Sequence, residues 1–126
     1  MSEVTISGNP ISLWFYVRGS IFEITIGRNN NVYQLKKIVK KDREPEFDTF
    51  APDRIKLLKL KRPVDEGHIS DIRNFTLQDD EEENDNIILM KDMRKIVAYW
   101  PENQVPPEDH IHVMVETPDL AGESKI

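Results

Sequence analysis

Every second residue is apolar in two neighbouring segments near the start of the chain, ISLWFYV and IFEITIG. Three residues, Arg18-Gly19-Ser20, separate them. A period of two on both sides of a short glycine-containing turn predicts a β-hairpin with one apolar face. The residues of that face are Leu13, Phe15 and Val17 in the first strand and Phe22, Ile24 and Ile26 in the second.

The segment after the hairpin changes to a helical period. An asparagine run at 29–31 supplies candidate N-cap residues, and Pro45 is expected to end the helix. Lysines cover its remaining sides, which is typical of a surface helix. The apolar stripe consists of Val32, Leu35, Ile38 and Val39.

The rest of the chain predicts further strands around a loose connection. Ile55–Leu60 is expected to be a strand with apolar residues on both faces, closed by Pro63. An acidic loop follows at about 78–86. His110–Glu116 is predicted to be the last strand. A short second helix is predicted from the near-helical spacing of Leu89, Met93, Ile96 and Val97.

This order of elements predicts an α+β fold, the β-grasp arrangement of ubiquitin. We expect a mixed sheet of about four to five strands, with the first and last strands adjacent at its centre. One main helix covers the sheet, and the short second helix completes the fold. The predicted domain spans 11–118, between an N-terminal extension at 1–10 and a tail or linker at 119–126.

Composition and charge narrow the function classes. The chain has 126 residues, no cysteine and a net charge of −6, so neither disulfides nor cysteine-bound zinc are available. The acidic balance makes nucleic acid an unexpected partner, although a basic patch of Lys36, Lys37, Lys40 and Lys41 leaves that alternative open. The N-terminal residues lack the pattern of a standard signal peptide. No apolar run approaches the length of a membrane span.

His110 and His112 fall on one face of the last strand, a spacing that metal sites use. A third ligand is not evident, because His68 lies in the loose connection. The simpler interpretation is that Ile111, Val113 and Val115 fill the core while the histidines face outward. The sequence also lacks a nucleophile elbow and a phosphate-binding glycine loop. We therefore expect a protein without catalytic activity, bound metal or cofactor. The second alternative is a small metalloenzyme built around His110 and His112.

The strand pattern places several large side chains on the face of the sheet away from the helix. Aromatic residues and methionine are enriched where proteins bind proteins. The predicted protein-binding surface, on which a second copy of the chain is also expected, comprises Trp14, Tyr16, Leu58, His112 and Met114. The alternative is that the acidic loop or the tail covers this face as additional core.

Several motifs follow one another in a fixed order between about residues 11 and 118: LWFYVRG, LKKIVKKDREPEF, IVAYWPENQVPPEDHIHV. In this order they resemble the N-terminal domain of Crinkler-type effectors. The resemblance implies a ubiquitin-like, non-catalytic module at the front of a larger secreted protein, which passes into a host cell and often acts in its nucleus. The oomycete signature LFLAK is absent, and Leu57–Leu60 is closer to the fungal style.

Overall fold

The hairpin forms as its alternation predicts. A computed structural model describes residues 5–17, 20–43, 51, 54–72, 75, 77 and 81–117. Strands β1 (Pro10–Val17) and β2 (Ser20–Gly27) pair antiparallel in an unbroken register. The rings of Phe15 and Phe22, which lie opposite each other in that register, stack with their centroids 5.3 Å apart. The apolar face of the hairpin is thereby packed toward the main core.

Helix α1 (Val32–Asp42) begins at an asparagine, as expected. The backbone N–H of Gln34 donates to Asn31 Oδ1 over 2.8 Å, and the Asn31 N–H donates to Gln34 Oε1 over 3.0 Å. This reciprocal pair satisfies two N–H groups that a helix start leaves without partners. The apolar stripe is buried or partly buried against the sheet. The predicted end of the helix, Pro45, lies outside the described residues.

The five strands have the order β2-β1-β5-β3-β4. Strand β5 (His110–Glu116) runs parallel to β1 and antiparallel to β3 (Lys56–Asp65), and β4 (Ile87–Leu89) pairs with the other side of β3. Adjacent first and last strands beneath one helix confirm the predicted ubiquitin-like β-grasp. No helix in the described ranges is long and apolar enough to cross a membrane.

Two local predictions are wrong. Pro63 does not close β3, because the strand continues to Asp65 through a register shift between Lys59 and Val64, the kind of site where a sheet tolerates proline. The predicted helix at 89–97 is absent: Ile87–Leu89 forms β4, and only Ile96–Ala98 makes a 3₁₀ turn. The short second helix is α2 (Ile69–Ile72), after a 3₁₀ turn at Glu66–His68.

The sheet carries a hydrophobic cluster on each side. The main cluster lies under α1 and includes Val113 and Val115. We call the face of the sheet opposite α1 the second face. The smaller cluster lies there and consists of Leu58, Leu60, Ile87 and Ile111. Ile111 was expected under the helix; it belongs instead to the second face, at a position where β5 pairs beyond the register shift. Partly buried side chains packed on this smaller cluster include Ile69, Phe75 and Leu77.

The acidic run covers an edge of the sheet. The Leu89 N–H donates to the Glu82 carbonyl over 2.7 Å, and the Asn84 N–H donates to the Ile87 carbonyl over 3.0 Å. Lys61 and Lys91 form ion pairs with Glu83 and Glu82 at 2.6 and 2.9 Å. Residues 82–84 therefore pair with β4, which protects an edge that is otherwise open to strand addition.

Candidate protein-binding surface

The predicted surface residues form two rows on the second face. Tyr16 on β1 lies beside Met114 on β5, and Met114 lies beside Leu58 on β3. In the next row, Trp14 on β1 contacts His112 on β5. The structure therefore brings all five residues together, although they come from three strands that are distant in sequence.

Burial divides these five residues into two groups. Trp14, Tyr16 and Met114 are partly exposed. Leu58 and His112 are each only 2% exposed, so neither offers a surface to a partner. Leu58 is enclosed by the smaller cluster, and His112 is held by the loop before β5. Part of the second face is thus additional core. The described residues that pack there include Ile69, Phe75 and Leu77, and not the acidic loop or the tail that the alternative named.

Both ring nitrogens of His112 are engaged by the backbone. Nδ1 accepts a hydrogen bond from the Trp14 N–H over 3.0 Å, and Nε2 lies 2.7 Å from the Pro107 carbonyl oxygen. A carbonyl only accepts, so Nε2 carries the proton and the ring is neutral. Burial lowers the pKa of His112 below its ordinary value. The hydrogen bond to the Pro107 carbonyl acts in the opposite direction, and the charges of His110 and Lys59 lower the pKa further. His112 therefore fastens the proline loop to β1.

This arrangement predicts that acid destabilises the fold. The unfolded chain has a histidine pKa of about 6.5, whereas the folded chain keeps His112 neutral to lower pH. The unfolded state then binds more protons, so the stabilisation is complete above about pH 6.5 and is lost as pH falls below it. Urea unfolding at pH 7.5 and 5.0 measures this. In the variant His112→Gln the pH dependence over this interval should shrink; an equal dependence in both chains would contradict the account.

Arg28, which the sequence did not single out, holds the other end of the same loop. Its side chain is buried, and Nε and one terminal nitrogen donate to the carbonyls of Trp100 and Gln104, each over 3.0 Å. The second terminal nitrogen lies 3.4 Å from the Pro10 carbonyl. The local sequence, a turn of the form Gly-Arg-Asn, carries no signal for such a role. Arg28 and His112 together fix residues 100–107 against the sheet.

Two adjoining clefts flank Trp14. The larger, of about 600 Å³, is walled by the 105–109 loop, by the start of β1 and by Glu23. The smaller, of about 360 Å³, is lined by Ile21, Glu66 and residues 109–111. Trp14 and Asp109 line both clefts, and we call the pair the Trp14 groove. The groove lies beside the part of the second face that the smaller cluster occupies.

The predicted basic patch is reduced by one member. Lys36 is only 4% exposed and forms an ion pair with Asp92. The ammonium of Lys37 lies 5.6 Å from the centre of the Tyr33 ring. Lys37 and Lys41 are exposed and Lys40 is partly buried. Because burial of Lys36 against an acid removes its charge from the surface, the helix offers a weaker site for a polyanion than the sequence indicated.

The histidine pair does not assemble a metal site with its neighbours. His110 Nδ1 lies 2.7 Å from the Glu108 carbonyl, and both nitrogens of His112 are engaged. Within the described part of the chain, no three histidine, cysteine, aspartate or glutamate side chains are grouped to hold a metal ion.

The strand order and the single covering helix define a ubiquitin-like module. A family model described as the Crinkler effector protein N-terminal domain matches residues 11–116. The chain belongs to this family, which confirms the resemblance seen in the motifs.

A relative of this chain is Crinkler effector protein 1 of Rhizophagus irregularis, strain DAOM 181602. It is 36% identical over 106 residues, which cover 83% of this chain and 20% of the relative. The chain thus spans about a fifth of the length of the curated relative that it matches. No solved structure matches the chain.

Proposed function

We propose that this chain is the non-catalytic N-terminal module of a secreted Crinkler-type effector, and that it binds a protein through the Trp14 end of the second face. One observation carries the proposal. Ile69, Phe75 and Leu77 pack against the smaller cluster on the second face, yet Trp14 is partly exposed and lines two clefts. An accessible tryptophan in a concave site is typical of a binding hot spot.

The groove is also rigidly supported. Trp14 lies on β1, which is hydrogen-bonded on both sides, to β2 and β5. His112 holds the Trp14 backbone, and Arg28 holds the loop that walls the larger cleft. A surface organised before binding loses less conformational entropy when a partner arrives. Tyr16 and Met114 pack against the smaller cluster and are partly exposed, so they add apolar surface on the same face of the sheet.

The larger role follows from the family. We propose that this module precedes a C-terminal domain, supports passage into a host cell, and accompanies that domain as far as the host nucleus. The name of the relative, an effector protein, supports this role. Immunodetection of the full-length protein in culture medium and in host nuclei tests it, and retention in the producing cell would contradict it.

A second copy of the chain is one candidate partner. Within the described residues β2 pairs only with β1, which makes it an edge strand, and the Trp14 groove lies beside it. An edge strand next to an accessible aromatic surface favours self-association.

The surface is tested by removing its exposed apolar groups without disturbing the core. The double variant Trp14→Thr, Met114→Gln should weaken dimer formation and protein capture from host extract by about tenfold or more. Sedimentation velocity and pull-down measure these effects, and circular dichroism verifies folding. The matched control is Tyr33→Thr, Met93→Gln on the other side of the protein, where Met93 is 93% exposed. Unchanged sedimentation and unchanged capture by the folded double variant would overturn the proposal.

A further inference from the structure

The Trp14 groove is strongly acidic. Four carboxylates line it: Glu23, Glu66, Glu108 and Asp109. All four are exposed. Among the described lysine and arginine residues, the lining contains Arg28, which is 7% exposed and whose guanidinium donates to backbone carbonyls. The groove therefore presents an excess of negative charge around an aromatic ring.

The sheet register places one of these carboxylates directly beside the tryptophan. Glu23 on β2 is the cross-strand partner of Trp14 on β1, so both side chains lie on the second face about one strand spacing apart. The neighbouring pair, Ser12 and Thr25, is polar, with its hydroxyl oxygens 2.8 Å apart. An indole face next to a carboxylate matches a planar cation, which the ring attracts and the acid pairs.

Asp109 directly precedes β5, the strand that neighbours β1 on the side away from β2. Its backbone has a φ of 60°, a conformation that aspartate and asparagine adopt more readily than most residues. It lines both clefts, as Trp14 does. Glu23 and Asp109 thus come from the two elements that flank β1, and both line the larger cleft together with Trp14.

Building on the proposed binding surface, we propose that the Trp14 groove takes an extended peptide segment of a partner protein that carries arginine. The guanidinium stacks on Trp14 and pairs with Glu23 and Asp109. The two clefts on either side of the ring give room for the residues that flank the arginine. Arginine suits the site better than lysine because its planar group stacks on an aromatic ring and donates to carboxylates at the same time.

The test uses a fluorescein-labelled octapeptide of alternating glycine and arginine, with fluorescence anisotropy at low salt. The control peptide replaces each arginine by citrulline, which keeps the shape and removes the charge. We expect the arginine peptide to bind and the citrulline peptide to bind at least about tenfold more weakly. Equal binding of the two peptides, or no binding of either, would overturn the inference.

Variants separate the groove from the overall negative charge of the chain. Glu23→Gln together with Asp109→Asn removes two groove charges while keeping side-chain size and the tolerated backbone conformation. This pair should weaken arginine-peptide binding by about tenfold. The matched control, Glu82→Gln with Asp85→Asn, removes two charges from the exposed 81–86 segment. It should change the affinity for the arginine peptide by less than about twofold. Equal weakening in both pairs would show general attraction and contradict a groove site.

Failure of this inference is distinguishable from failure of the proposed function. If Trp14→Thr, Met114→Gln abolishes protein capture but the two charge variants leave both capture and peptide binding unchanged, the surface stands and the arginine assignment falls. If a second copy fills the groove, Glu23→Gln with Asp109→Asn alters sedimentation and the arginine peptide does not bind, which also overturns the assignment.

Discussion

Replacing His112 by alanine is expected to lower the free energy of unfolding by about 3 kcal/mol. The substitution leaves the Trp14 N–H and the Pro107 carbonyl without their partner, and it opens a cavity at a site that is buried between β1, β5 and the preceding loop. An unsatisfied buried amide costs more than the lost hydrogen bond alone. Urea unfolding at pH 7.5, where the ring is neutral, measures the effect.

His110 provides the matched control for this prediction. It is partly exposed, lies two residues away on the same strand, and contacts the Glu108 carbonyl through Nδ1. His110→Ala should therefore cost less than about 1 kcal/mol. Similar losses from the two alanine variants would show that His112 is not the structural member of the pair.

Replacing Arg28 by methionine is expected to cost about 2–3 kcal/mol of unfolding free energy. Methionine fills much of the same space, but it cannot replace the hydrogen bonds that the guanidinium donates to the carbonyls of Trp100 and Gln104. The loop at 100–107 should also loosen, because two of its carbonyls lose their attachment to the β2–α1 turn. Chemical denaturation gives the energy, and amide hydrogen exchange reports the loop.

The nature of the arginine group is tested by a second substitution. Arg28→Lys keeps the positive charge, but one ammonium does not reproduce a planar fork that donates in separate directions. Compared with Arg28→Met, Arg28→Lys should recover less than about half of the lost unfolding free energy. Arg94→Met, at an exposed position, should change stability by less than about 0.5 kcal/mol. Full recovery by lysine would mean that charge alone, without guanidinium geometry, stabilises the loop.

The sequence was sufficient for elements that local patterns encode. Alternation predicted β1, β2 and β5, and a helical stripe with an asparagine cap predicted α1. These elements repeat their hydrophobic period several times, so the pattern is clear. Strand β4 was missed because three residues, Ile87–Leu89, are too few to show a period. Its pairing with β3 is a tertiary effect.

The features that sequence reasoning missed depend on partners distant in the chain. His112 bonds to Trp14 at a separation of 98 residues, Arg28 to Trp100 at 72, and Lys36 to Asp92 at 56. No local window contains both members of such a pair. A lysine on a helix face or a histidine on a strand therefore looks exposed until the fold supplies its counterpart.

In the candidate surface, too, some features follow from the local sequence and others depend on residues distant in the chain. Side-chain alternation correctly placed Trp14, Tyr16 and Met114 on one face of the sheet, since parity is a property of the strand itself. The burial of Leu58 was not encoded in its own strand, because the cluster to which it belongs is packed by Ile69, Phe75 and Leu77 from a later segment. The predicted five-residue surface accordingly narrows to its three accessible members and the groove around Trp14.

The central claim is that a protein partner contacts the Trp14 groove and not the lysine face of α1. Site-specific photo-crosslinking tests it most directly, with a photoreactive amino acid placed either at Thr25, exposed beside the groove, or at Lys37, exposed on the helix. The full-length effector carries the probe in host cells, and adducts are identified by mass spectrometry. We predict a discrete protein adduct from position 25 and none from position 37. Adducts from position 37 alone would contradict the account.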